Sequence, residues 1–140
     1  MLGKELSWKG MVSKMRILDT NMILRYLLND NIEMADEVEK IIKEHEVLVL
    51  PEVAAEVIYV AVKVYKLSRS QIVSGFIDLL DTDNVVTNCG NVLREGLKLY
   101  ARVSLDFVDC LLCAYHTVSG YEICTFDKKL NNLIKRESQN

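Results

Sequence analysis

Short apolar runs alternating with stretches of helical spacing constrain this chain more than any other feature. Arg16-Ile17-Leu18, Val47 to Leu50, Val85-Val86 and Tyr121 to Phe126 are each too short for a helix and rich in residues that suit a pleated, buried surface. Between them, apolar residues recur every three or four positions. Thr20 to Leu28 reads as the first helix, leaving directly from the first strand. Asp30 with Glu33 resembles a capping box opening a second, whose inner face carries Met34, Val38, Ile41 and Ile42 and which ends near His45. Pro51 is suited to the first turn of a third helix, Glu52 to Lys66. Ser68 with Gln71 starts a fourth, Val92, Leu93, Leu97 and Tyr100 mark a fifth, and Asp106 caps a sixth that runs from Phe107 to Val118 and stops at Gly120. Strands alternating with helices imply parallel pairing, right-handed crossovers and a sheet covered on both sides. The expected class is α/β, a three-layer α/β/α arrangement around a central parallel sheet of four to five strands.

Within 140 residues, half of them hydrophobic and 26% charged, one domain with a sizeable core is expected. A single proline, six scattered glycines and no low-complexity tract leave no linker. Residues 15–140 form that domain, and residues 1–14 precede the first strand as an extension of unknown role. The apolar runs fall short of the ~20 residues a membrane helix requires. The first 14 residues lack the apolar core of a secretory signal, so the cytoplasm is the expected compartment. Four cysteines, Cys89, Cys110, Cys113 and Cys124, are expected as free and buried thiols there. Cys110 and Cys113 have redox or zinc spacing, but no second pair accompanies them and their helix is apolar. The net charge of −3 is not the strongly basic balance of a nucleic-acid binder. If four of the 20 acids are ligands for a cation, however, the other 16 face 17 Lys and Arg, so any contact with nucleic acid is local.

In open parallel sheets, ligands collect beyond the carboxyl ends of the strands, where Asp19 and Asp127 both fall. Glu56 lies about a turn and a half into the helix leaving the second strand, and Asp109 opens another helix. Four carboxylates sharing one rim repel each other unless a hard divalent cation such as Mg²⁺ or Mn²⁺ compensates them. Each acid also has a plain structural role open to it. Asp19 and Asp127 suit helix caps, and Asp109 suits the positive end of a helix. Glu56 favours function, because its helix is otherwise apolar and an unpaired buried carboxylate is costly. Residue by residue, the sequence supports a metal-binding α/β domain and no more.

The strings Leu18-Asp19-Thr20-Asn21, Pro51-Glu52-Val53-Ala54-Ala55-Glu56, Asp106-Phe107-Val108-Asp109-Cys110-Leu111-Leu112 and Thr125-Phe126-Asp127 resemble, in this order, the acidic motifs of PIN-domain nucleases, particularly VapC-like toxins. The resemblance runs from about Met15 to the C-terminal region. It implies that Asp19, Glu56, Asp109 and Asp127 are metal-binding catalytic acids. Asn21 and Thr125 are implied as polar neighbours, and Asp106 matches a commonly acidic position. Cys110 stands where the family often has alanine, a change between small residues. The implied activity is metal-dependent hydrolysis of RNA, with a water attacking phosphorus in line and leaving a 5′-phosphate and a 3′-hydroxyl. The implied setting is a toxin paired with a small antitoxin protein, acting as a homodimer. A housekeeping PIN ribonuclease in RNA maturation and an inert PIN-fold binding module are the alternatives. Aspartyl phosphatases also place an Asp after the first strand but need a second two residues on, where this chain has Asn21. Among Arg25, Lys63, Lys66, Arg69, Lys128 and Lys129, only Lys128 is retained as a candidate phosphate contact. Tyr26, Phe76 and Tyr115 are assigned to the core rather than to base stacking.

Overall fold

The computed structural model describes residues 15–139, so the extension before Met15 lies outside it. Strand β1 (Arg16–Ile17) is followed by α1 (Thr20–Leu28) and α2 (Ile32–Glu44), then β2 (Val47–Val49), α3 (Pro51–Lys63) and α4 (Arg69–Leu80). After them come β3 (Val85–Thr87), α5 (Val92–Arg102), α6 (Phe107–Ser119) and α7 (Lys128–Ser138). The strands form one parallel sheet in the order β1-β2-β3, with Arg16 opposite Val47 and Val47 opposite Val85. Each strand reaches the next through two helices, as parallel pairing demands. The chain is α/β, and more helical than its sequence suggests.

The sheet has three strands among the described residues, not the four to five expected. Tyr121 to Phe126 is irregular and unpaired. Tyr121 is 62% exposed and Phe126 fully exposed, so the short run that suggested a buried strand does not here bury an apolar face. Val47 and Val49, by contrast, are wholly buried at the centre of the sheet.

Local signals explain most helix ends. Ser68 and Gln71 complete the expected capping box, Pro51 occupies the first turn of α3, and Gly120 ends α6 in the left-handed region at φ 78°. Helix α2 is capped by Asn31, whose side chain accepts from the Met34 amide, rather than by Asp30, which pairs with Arg25 at 2.8 Å. Helices α5 and α6 pack most closely, where a Cβ on Gly96 would meet the Leu111 side chain at 3.0 Å. Phe76 is fully buried, and Tyr26 and Tyr115 pack against the core. Cys110 and Cys113 are buried and Cys124 is exposed, all four thiols being free. Burial pushes the Cys110 thiol up to about 12, which leaves little of the thiolate that redox chemistry uses near neutral pH. Among the described residues, no helix is long and apolar enough to cross a membrane.

Candidate active site

Asp19 follows β1 and is the N-cap of α1, its Oδ1 accepting from the Met22 amide at 2.9 Å. Asp127 repeats the arrangement at α7, its Oδ1 accepting from the Leu130 amide at 3.0 Å. The capping role that the sequence left open is therefore realised at both. It occupies one carboxylate oxygen and leaves Oδ2 for other work, so cap and ligand are compatible. Thr125 sets up this turn, its hydroxyl accepting from the Asp127 amide and its carbonyl from the Asn131 side chain. Asn21 is exposed in the first turn of α1 and Lys128 is exposed at the start of α7.

Glu56 corrects the expectation that rested on its apolar helix. It is exposed, on the open face of α3 with Glu52, Tyr59 and Lys63, and no buried charged residue occurs among the described ones. What connects it to the rim is Thr20, whose hydroxyl donates to Glu56 Oε1 and so ties the start of α1 to α3. The sequence reading gave Thr20 no role. Its available signal was a hydroxyl directly after the strand-end acid.

Asp106 corrects another expectation. It stands at the N-cap of α6, but its side chain makes no capping bond. Its carboxylate instead raises the Asp109 pKa together with Asp127, burial of Asp109 being the larger cause. These three acids thus share one field. Among the described residues, the five ion pairs involve none of Asp19, Glu56, Asp106, Asp109 and Asp127. Two groups result: Asp19 with Glu56 through Thr20, and Asp109 with Asp106 and Asp127. Among the described residues no three acid, histidine or cysteine side chains are gathered closely enough to hold one ion. By donor chemistry the set nevertheless fits a hard divalent cation, being all carboxylate oxygen, in no ion pair among the described residues, with one member already resisting ionisation.

The surroundings divide the candidate bases. Arg25 donates to both Asp30 oxygens and to Tyr65, and the Arg69 guanidinium donates to the carbonyls of Tyr100, Val103 and Ser104 while lying 4.0 Å from the centre of the Tyr100 ring. Both are structural. Beside Asp106 and Asp109 a hollow of about 300 Å³ opens between α3 and α6, with Tyr59 and Val108 more than half exposed on its walls.

The sequence model of a family described as PIN domain matches residues 16–135. A curated protein, "VapC ribonuclease" of Aquifex aeolicus (strain VF5), is 26% identical over 125 residues, covering 85% of this chain and 92% of that protein. No solved structure gives a significant match.

Proposed function

This chain belongs to the PIN domain family, and on that premise we propose that it is a metal-dependent endoribonuclease serving as the toxin of a toxin and antitoxin pair. What supports the reading is a set of carboxylates that form no ion pair among the described residues, Asp19 after β1, Glu56 midway along α3, Asp109 in the first turn of α6 and Asp127 at the N-cap of α7. Asp19, Glu56, Asp109 and Asp127 would hold Mg²⁺ or Mn²⁺. A bound ion supplies charge neutralisation at the phosphate and acidifies water near neutral pH. The chain's own work is positional. Asp19 and Asp127 keep one oxygen on their helix caps and direct the other outward. Thr20 holds Glu56 against rotation, and Thr125 fixes the turn from which Asp127 projects. Asn21, exposed in the first turn of α1, would help orient the acids, Asp106 adds negative field beside Asp109, and Lys128, exposed at the start of α7, would meet a phosphate oxygen.

The VapC-named relative supports the RNA substrate, and its coverage of nearly the whole chain supports a similar small, single-domain role. The exposed apolar wall of Tyr59 and Val108 is surface that a partner covering the acids would bury. An antitoxin fits there, and the active form is a homodimer in the cytoplasm.

The first test compares wild type with Asp19→Asn on a mixed structured RNA in Mg²⁺, in Mn²⁺ and in EDTA. Asn caps a helix as well as Asp does, so the variant keeps its fold. The expected result is metal-dependent cleavage leaving 5′-phosphate ends, reduced at least a hundredfold in the variant. Full activity in Asp19→Asn would overturn the site, and inactivity of the wild type on every RNA would favour an inert binding module. Cleavage that the neighbouring gene's product does not inhibit would assign the chain to RNA maturation instead.

A further inference from the structure

The C-terminal helix carries a charge pattern that the acidic site does not use. In α7, Lys128, Lys129, Lys135 and Arg136 are set against one acid, Glu137, which is already held by Arg102 at 2.6 Å. Lys129, Asn132, Leu133 and Arg136 recur at helical spacing, so they share one face, with Lys129 and Arg136 about 10 Å apart along the axis. That face forms one wall of a groove of about 560 Å³. The opposite wall is the turn Val103-Ser104-Leu105 with Arg102. No acid lines it. Lys129 and Arg136 are exposed and pair with no carboxylate among the described residues.

Position gives this groove its meaning. Leu105 in its wall directly precedes Asp106, and Lys129 lies two residues after Asp127, so one end borders two acids of the catalytic rim. The turn that forms its far wall is tied by Arg69 through bonds to the Val103 and Ser104 carbonyls. Both cations stand on one helix, whose backbone fixes their spacing along its axis, which suits a chain of regularly spaced anions. We propose that this groove binds the phosphate backbone of single-stranded RNA, with Lys129 and Arg136 as the contacting cations, and leads the strand to or from the acids. The inference rests on the nuclease reading only for the identity of the anionic chain. It also answers the negative net charge, since the attraction is confined to one helix face.

The test measures binding, not cleavage. Full-length protein in EDTA is titrated into a fluorescently labelled single-stranded RNA at several salt concentrations. Wild type is compared with Lys129→Gln/Arg136→Gln and with Lys40→Gln/Lys43→Gln on α2 as a charge-matched control. The expected loss for the groove variant is about tenfold or more at low salt. The slope of log affinity against log salt should fall in magnitude by about 1.4, two single-strand contacts at roughly 0.7 each. The control should bind like wild type. Groove and control variants losing affinity equally would overturn the proposal, as would a groove variant with wild-type affinity and slope. Displacement of the RNA by polyglutamate at equal charge concentration would overturn it in favour of an acidic protein partner. Groove-dependent binding without any cleavage in Mg²⁺ or Mn²⁺ would leave the groove standing and remove the nuclease reading alone.

Discussion

Asp109 is partly buried at the start of α6, and its carboxyl is held above the usual carboxylate range by that burial and by the charges of Asp127 and Asp106. The net rise means that these effects outweigh the favourable end of the helix. In the unfolded chain the same carboxyl ionises at its ordinary, lower pH. Between the two values the folded chain holds more protons, so its stability falls as pH rises through that window and stays lowered above it. Asp109→Asn should therefore raise the Tm at neutral pH in EDTA and flatten its decline between acidic and neutral pH, while abolishing cleavage. A lower Tm with an unchanged pH slope would show that Asp109 is not strained by its neighbours. Under the proposed function, a bound cation would relieve this strain.

At the scale of elements, the turn between α5 and α6 shows how a surface segment is made firm. Its carbonyls face inward, and Arg69 from α4 satisfies them while its guanidinium stacks on Tyr100. Arg69→Ala should cost about 2–3 kcal/mol by urea denaturation, because partly buried carbonyls lose a charged donor and Tyr100 loses its cover. A loss under about 0.5 kcal/mol would mean that water replaces Arg69 fully. Sequence alone marked Arg69 only as one more surface cation, since nothing local shows that residues 31 to 35 positions away present their carbonyls to it. The contrast with Ser68 and Gln71 is instructive. Their capping box was legible because both partners lie within one turn. Asp19 and Asp127 were legible for the same reason, as strand ends and helix starts are local patterns. The exposure of Glu56 was half legible: Glu52, Glu56, Tyr59 and Lys63 follow one helical stripe, but composition drew attention to the apolar majority instead. The unpaired Tyr121 to Phe126 was not legible, because pairing depends on a sheet edge to join, which the residue types of a short run do not reveal.

For the whole molecule, the two acid groups are carried by different parts of the chain: Asp19 and Glu56 by helices that leave β1 and β2, Asp109 and Asp127 by α6 and α7. An ion held by both groups would join these parts, so it should stabilise the fold as a whole. Under the proposed function, saturating Mn²⁺ should raise the Tm of wild type, by linkage worth about 2.7 kcal/mol at a hundred times Kd, and leave Asp19→Asn unmoved. Equal shifts in both would place the ion elsewhere. The capping by Asp19 and Asp127, which under the proposed function would leave each a second oxygen for the metal, has a consequence for descent. A single base change turns an Asp codon into an Asn codon, and Asn preserves the cap. If these acids carry the proposed chemistry, one mutational step would silence it and leave the architecture whole, so lineages could shed the activity and keep the scaffold for other purposes.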